Sequence, residues 1–410
     1  MSISSEPIQQ KKTQENVETI RFKSKDQPLL SEVMENDHKG ILTFRLSNTN
    51  VCFANALRRT ILSDIDMCCI LSENYETNQV NIEKNTGRLH NEILKHRLSC
   101  IPVHYAGSKE KMQKFCDSYI LEIDCNNDTD VLQFVTTENF QLKNKNTGEI
   151  MNSQKTKEIF PPNSISKDYI DFSRLRPKIT DSIPGEILKL SAEFSISNAK
   201  ANAMYNVVSK CTYSNTIDSK LADEKWSILE NDIKVRNPGI SKEDLKFEKN
   251  NFTYLDRARC FTPDSFDFVI QGLGIFANRE IVSLALDVLI SKLTSYLTFA
   301  PSGDNNTIQQ QKIVINPAET TMVNSFDIIL LDEDYTIGKI LEFVIYTNFY
   351  VDNPILTFCG FKKFHPHDTK STIRIAFKSS NDTHLIENII YQASRYSVEV
   401  IEHIKNALIK

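Results

Sequence analysis

Ala54, Leu57, Ile61 and Ile65 recur at helical spacing, and Phe53 and Leu62 broaden the stripe. Residues 49–62 therefore predict a capped helix with one apolar face, beside which Arg58 and Arg59 lie. A strand-like run, Ile41-Leu42-Thr43-Phe44-Arg45-Leu46, leads in, and Ser47 to Asn50 offer capping side chains. The unit reads as strand, cap, amphipathic helix.

The same unit returns late in the chain. Phe326 to Leu331 form an apolar run, Asp332-Glu333-Asp334 follow, and Ile337, Ile340, Leu341, Val344 and Ile345 then fit one helical face. Laid over each other, Leu46 falls on Leu330, Ala54 on Gly338, Leu57 on Leu341 and Ile61 on Ile345. A small residue at the same helix position in both copies implies close approach of a backbone. The expectation is a diverged internal duplication whose two helices pack together. Periodicity alone leaves a second arrangement open, in which each helix packs on its own sheet and the two never meet.

Between the copies, Tyr119 to Phe140 contains short alternating runs that read as strands. Leu142 to Phe160, rich in Lys, Asn and Gln, reads as an exposed hairpin or loop, and Asp218 to Asn251 as a charged, solvated helical excursion around Trp226. Phe266 to Ile270 is a strand, followed by a helix from Asn278 through Leu293 with Ile281, Leu284, Ala285, Val288 and Leu289 on one side. Residues 300–321 carry Pro301, Gly303 and three consecutive glutamines and read as a linker. Ile355 to Phe361 and Ser371 to Phe377 are strands. After Asn381-Asp382-Thr383 a long helix repeats Ile386, Ile389, Ile390, Ala393, Val400, Ile401, Ile404 and Leu408 on one side. A helix of that length needs a partner, and the helix from 278 to 293 is the matching candidate.

The residues themselves carry a resemblance. Phe53-Ala54-Asn55-Ala56-Leu57-Arg58-Arg59-Thr60-Ile61-Leu62 resembles the hallmark helix of the alpha-like assembly subunits of multisubunit DNA-directed RNA polymerases: bacterial alpha, archaeal D and the eukaryotic third-largest subunit. Asn85-Thr86-Gly87-Arg88-Leu89 and Ile101-Pro102 are similar to that family's downstream pattern, as are the strand segments 172–177 and 185–194. Glu333-Asp334-Tyr335-Thr336-Ile337-Gly338 through Phe361 to Pro366 resembles the smaller partner, archaeal L or the eukaryotic eleventh-largest subunit. The family's glycine-rich His-Ala-Lys segment is replaced here by Asn198-Ala199-Lys200-Ala201-Asn202-Ala203-Met204-Tyr205.

The resemblance implies both partners of one heterodimer fused end to end, in a protein of a large eukaryotic DNA virus, located in host cytoplasm or the virion, or in the nucleus if not viral. The implied fold is α+β: two alpha-like dimerisation domains forming an intramolecular pseudo-heterodimer, the first interrupted by a mostly β insertion domain. The expected boundaries are a disordered tail (1–34), the first dimerisation domain (35–106 and 255–299), the insertion domain (107–254), a linker (300–322) and the second dimerisation domain (323–410). By resemblance, Phe53, Ala54, Asn55, Leu57, Arg58, Arg59, Ile61, Gly338, Ile340 and Leu341 form subunit interfaces. The apolar members hold the halves together, while the arginines make charge-assisted contacts to the two largest polymerase subunits. Smaller polymerase subunits are further partners, and DNA is met only indirectly, through the complex.

Composition narrows the function. With 410 residues, 40% hydrophobic and 25% charged, the chain can hold two or three domains with substantial cores. Its formal net charge of −5 argues against a protein whose main role is gripping phosphates. The polar N-terminal stretch contains no apolar signal region, and no run is long enough to span a bilayer, so no membrane association is expected. Nine scattered cysteines read as free thiols. Cysteine clusters that bind zinc or iron-sulfur centres occur in the family's larger partner. Here no Cys-x-x-Cys occurs, Cys68 and Cys69 are adjacent, and Cys116 and Cys125 read as half-buried thiols, so neither metal nor cofactor is expected.

Nucleotidyl transfer requires clustered carboxylates around magnesium. Asp332-Glu333-Asp334 stands where a helix N-terminus favours acids, Asp64 and Asp66 end the signature helix, and His365-Pro366-His367 reads as a turn. The chain is expected to be non-catalytic, an assembly component of a polymerase. The alternative is a sequence-specific DNA-binding protein whose Arg58-Arg59 helix enters a groove.

Overall fold

A computed structural model describes residues 27–36, 40–180, 182–297, 312–379 and 383–409. The chain divides into two compact units, Pro28–Ile290 with Glu402–Lys410, and Ser291–Ile401. The first unit opens with β1 (Leu29–Asn36), β2 (Ile41–Ser47) and α1 (Val51–Ser63). A long excursion follows: β3 (Met67–Cys69), β4 (Val80–Asn85), α2 (Asn91–Ser99), α3 (Lys109–Ser118), β5 (Tyr119–Asn126), β6 (Gln133–Thr136), β7 (Gln141–Asn144), α4 (Ser153–Ile159), β8 (Asp171–Leu175), β9 (Ile187–Glu193) and β10 (Ser195–Ser197). The chain then runs through β11 (Val208–Ile217), α5 (Ser219–Arg236), α6 (Lys242–Asn251), β12 (Phe261–Gly272) and α7 (Asn278–Thr294). Beyond it come β13 (Ile313–Pro317), β14 (Ser325–Leu331), α8 (Tyr335–Ile345), β15 (Leu356–Lys362), β16 (Lys370–Phe377) and α9 (Thr383–Ile409).

The first unit contains an antiparallel sheet in the order β1-β2-β12-β11, and the second an antiparallel sheet in the order β13-β14-β16-β15. In both, a helix follows the second strand of the chain and another follows the strand paired to it. The strand, cap and helix unit read from sequence is thus part of a larger repeated topology.

Alternation along β2 explains its placement. Leu42, Phe44 and Leu46 are buried, as are Phe266, Phe268 and Ile270 opposite them on β12, and the Phe44 and Phe268 rings stack 4.9 Å apart. The other face carries Arg45, whose Nε donates to Asp267 Oδ1 at 2.7 Å directly across the ladder. The second sheet has a similar pair. Arg374 on β16 grips Asp327 on β14 through two bonds, at 2.6 and 2.7 Å.

The excursion between α1 and β11 is largely β, with one sheet ordered β4-β9-β5-β7 and the pairs β6-β8 and β3-β10. Its hub is Asn127, fully buried, which donates to the carbonyls of Val131 and Leu175 at 2.9 Å each and accepts from Thr129.

Several expectations change. Of the tail expected through residue 34, residues 1–26 lie outside the described residues and 29–36 form a paired strand, weakly alternating because it is a sheet edge. Within the expected linker, residues 300–311 lie outside the described residues, while Ile313–Pro317 pairs with β14 despite its short apolar run. The hairpin or loop expected over 142–160 turns back on itself as a hairpin, Lys143 bridging Ile150, but then enters α4, because Ile159 and Phe160 bury and Phe160 meets Phe140 edge-on at 5.2 Å. The segments 172–177 and 185–194 supply β8 and β9, which pair with β6 and with β4 and β5 respectively. On α7 the buried face includes Val282, Leu286 and Leu293 beside Ile281, Ala285 and Leu289, whereas Leu284 and Val288 are only half-buried. Cys116 and Cys125 are buried rather than half-buried. The proposed cap at Asn381 and Asp382 lies outside the described residues.

Candidate subunit interface

Helix α1 begins where Asn50 caps it, its side chain accepting from the Cys52 amide at 3.0 Å. Phe53, Ala54, Ala56, Leu57, Thr60 and Ile61 are buried. Among the expected site residues this brings Phe53, Ala54, Leu57 and Ile61 onto the inward side, with Asn55, Arg58 and Arg59 half-buried. Asn55 orients its neighbour on the helix. Its Oδ1 accepts from Arg58 Nε at 3.2 Å and Nη2 at 2.8 Å, which holds the guanidinium along the helix. The Arg58 charge also bears on Cys211 of β11, whose thiol burial pushes up to about 12 while the arginine opposes that rise. Thr60, fully buried, completes the face that apolar counting missed; the three- and four-residue steps from Phe53 through Ala56 and Leu57 pointed to it.

Helix α8 is capped by Asp334, which accepts from the Thr336 amide at 2.8 Å. Ile337, Gly338, Ile340, Leu341, Val344 and Ile345 are buried, so Gly338, Ile340 and Leu341 share its inward side. Each helix lies against its own unit's sheet, α1 on β11 and α8 on β15 and β16. That realises part of the second arrangement left open by periodicity.

Gly338 requires a correction. A Cβ there would come within 2.0 Å of Phe361 Cε2 and 2.5 Å of Cζ, so what approaches this position is an aromatic ring of β15 and not a backbone. The ring is fixed by Tyr335, edge-on at 5.2 Å, and by the Lys339 ammonium 5.8 Å from its centroid. Lys339 in turn bonds Glu342 at 2.6 Å, and Glu342 accepts from the Phe361 amide at 3.2 Å. Phe361 escaped the site prediction because it lies on a strand and only geometry brings it to the helix.

The acidic groups are absorbed by structure. Asp332 occupies a left-handed turn with φ of 59°, Glu333 is buried 3.9 Å from Lys292, and Asp334 is the cap. Asp66 accepts from Lys109 at 3.1 Å and Asn198 at 2.9 Å. His365 and His367 are exposed in a turn, where the His367 amide donates to His365 Nδ1 at 3.2 Å. Among the described residues no group of three or more His, Cys, Asp or Glu is placed to hold a metal, and no helix is long and apolar enough to cross a membrane.

The segment from Asn198 to Tyr205 braces the chain leaving α1. Beyond the Asn198 bond, the Lys200 amide donates to the Ser63 carbonyl at 2.8 Å, Asn202 donates to Glu73, and the Tyr205 hydroxyl reaches the Ile70 carbonyl at 3.4 Å.

Comparison with known proteins adds to this geometry. The family described as RNA polymerase Rpb3/Rpb11 dimerisation domain matches residues 43–293. The chain is 24% identical over 303 residues to DNA-directed RNA polymerase II subunit rpb3 of Dictyostelium discoideum, covering 64% of this chain and 92% of that protein. It is 23% identical over 288 residues to DNA-directed RNA polymerase subunit Rpo3 of Methanosphaera stadtmanae, covering 65% of this chain and 97% of that one. A shorter stretch of 62 residues, 15% of this chain and 21% of the relative, is 39% identical to subunit Rpo3 of Pyrococcus horikoshii.

Proposed function

Since the chain belongs to the RNA polymerase Rpb3/Rpb11 dimerisation domain family, we propose that it is a non-catalytic assembly subunit of a DNA-directed RNA polymerase that carries both members of a dimer in one polypeptide. The observation that carries the reading is the repeated strand order, β1-β2-β12-β11 and β13-β14-β16-β15, each with its two helices in the same places along the chain. The family match ends at residue 293, and the second sheet enters through its topology.

In this reading Phe53, Ala54, Leu57 and Ile61 of α1 and Gly338, Ile340 and Leu341 of α8 belong to the packed junction of a pseudo-heterodimer. Arg58, oriented by Asn55, and Arg59 engage carboxylates or carbonyls of the two largest subunits. Support for pairing of the long helices comes from the first unit, where Lys405, near the end of α9, bonds Asp287 of α7. Tethering replaces a bimolecular association by an internal one, at an effective concentration on the order of millimolar. The viral source, a place in host cytoplasm or virion, further small subunits as partners, and contact with DNA only through the complex belong to the same reading.

The test is capture of the large polymerase subunits by tagged full-length chain, wild type against Arg58→Glu/Arg59→Glu. The variant should fold normally and lose the large subunits. Undiminished capture would remove the arginines from the docking role. A sequence-specific DNA-binding protein would instead show strongly salt-dependent DNA binding by the purified chain.

A further inference from the structure

Two buried thiols lie together outside the helices considered above. Cys68, on β3 where the chain leaves α1, and Cys116, on α3, have their sulfurs 4.0 Å apart, and both side chains are almost entirely buried. Cys116 also lines an open polar cavity of about 540 Å³ shared with Lys109, Lys145 and Asp117. The two thiols therefore differ in access: Cys116 borders a route from solvent, and Cys68 lies behind it.

We propose that Cys68 and Cys116 form a peroxide-reactive dithiol that closes to an intramolecular disulfide, with Cys116 as the attacking sulfur and Cys68 as the resolving one. The thiolate of Cys116 attacks one peroxide oxygen and breaks the O–O bond. This leaves a sulfenic acid on Cys116, and the departing hydroxide takes up a proton to become water. Cys68 then gives up its proton, its sulfur attacks Cys116, and the hydroxyl group leaves as a second water. The two thiols lose two electrons and the peroxide gains them.

Local chemistry supports these roles. The hydrogen bond between the two sulfurs holds the Cys116 thiol below the ordinary cysteine value, against the opposing effects of burial and Asp117, while the same bond and burial push Cys68 far above it. The sulfurs need to approach by roughly 2 Å to reach a disulfide length of about 2.05 Å. The bridge would fasten β3 to α3 and close a loop across a sequence separation of 48 residues. By the chain-entropy argument such a bridge raises the melting temperature by on the order of 5–10 °C.

The experiment treats purified full-length protein with hydrogen peroxide, blocks remaining thiols with iodoacetamide in denaturant, and maps peptides without reductant. Exposed Cys100 reports how much oxidant was delivered. The expected result is a peptide pair joined through Cys68 and Cys116, two hydrogens lighter than the separate peptides, together with a higher melting temperature that Cys68→Ser and Cys116→Ser each abolish. Recovery of both cysteines as alkylated peptides after Cys100 has oxidised would overturn the proposal. So would a bridge from Cys116 to Cys69 or to any other cysteine.

Discussion

Gly338 on α8 and Phe361 on β15 occupy one another's space: a methyl group on the glycine would stand 2.0 Å from the ring. Alanine in a helix ordinarily gains about 1 kcal/mol over glycine. Here the overlap reverses the sign, because Tyr335 and the Lys339–Glu342 pair hold the ring in place. Gly338→Ala should destabilise by about 1–3 kcal/mol as overpacking does. The double variant with Phe361→Leu should recover much of the loss. Denaturant unfolding of the full chain followed by circular dichroism measures both, and equal stability of Gly338→Ala and wild type would contradict the contact.

The cross-strand ion pair Arg374–Asp327 is partly buried and two-pronged, unlike single-bonded surface pairs such as Lys157–Glu138. A double-mutant cycle with alanine at both positions should give a coupling of about 1.5–3 kcal/mol for Arg374–Asp327. The Lys157–Glu138 cycle, between solvent-exposed groups screened by water, should give a much smaller coupling. Similar values for the two would show that the paired geometry adds nothing.

Asn127 carries the buried polar network of the excursion between α1 and β11, and its backbone carbonyl oxygen lies where a Cβ on Gly185 would be, 1.6 Å away. Asn127→Ala removes its bonds to the carbonyls of Val131 and Leu175 and to Thr129, and should cost about 2–4 kcal/mol. Gly185→Ala pits a methyl against backbone that cannot rotate aside, and should unfold the excursion locally. Hydrogen exchange at β6, β8 and β9 reads both effects. Unchanged protection in Gly185→Ala would contradict the close approach.

His104 supplies a pH dependence. Burial lowers its pKa below the ordinary 6.5, partly offset by its ring nitrogen's hydrogen bond to the Gly274 carbonyl at 3.1 Å. The unfolded chain therefore binds the proton more readily than the folded one. Stability from this group is complete above pH 6.5 and falls as pH drops from there through the lower folded value. His104→Gln should flatten that part of the stability curve. A wild-type stability advantage over the variant that shrinks as pH rises would contradict the assignment.

Much of this fold was legible because burial is one-sided. On β2 the alternation of Leu42, Phe44 and Leu46 against Thr43, Arg45 and Ser47 announces a half-buried strand, and α1 and α8 repeat apolar residues at helical steps. Edge strands carry less of that signal. β1 exposes Leu29 and Met34, and β13 offers three apolar residues between polar neighbours, so both read as tail or linker. At the candidate interface, sequence located Leu57, Ile61, Ile340 and Leu341 on inward faces. Contacts that depend on folding were hidden, including Phe361 over Gly338, Asn55 beneath Arg58, and Asn198 against Asp66. A helix position left small can admit a backbone or a ring, and only the tertiary structure distinguishes them.

Leu341 tests the packing of α8 itself. Leu341→Asp would place an unpaired carboxylate at a site 1% exposed, costing several kcal/mol. Assembly with polymerase subunits should be lost at growth temperature. Leu341→Met, which keeps the volume and the apolar surface, should retain it. Assembly of Leu341→Asp at wild-type levels would place this residue outside the packed junction.

The assembly role is measured most directly by affinity purification of the tagged protein from the cells that produce it, with mass spectrometry of what accompanies it. Two very large subunits in stoichiometric amounts, and template-dependent RNA synthesis by the eluted complex, are the expected result. A solitary chain, or one that brings DNA and no large subunits, would contradict it.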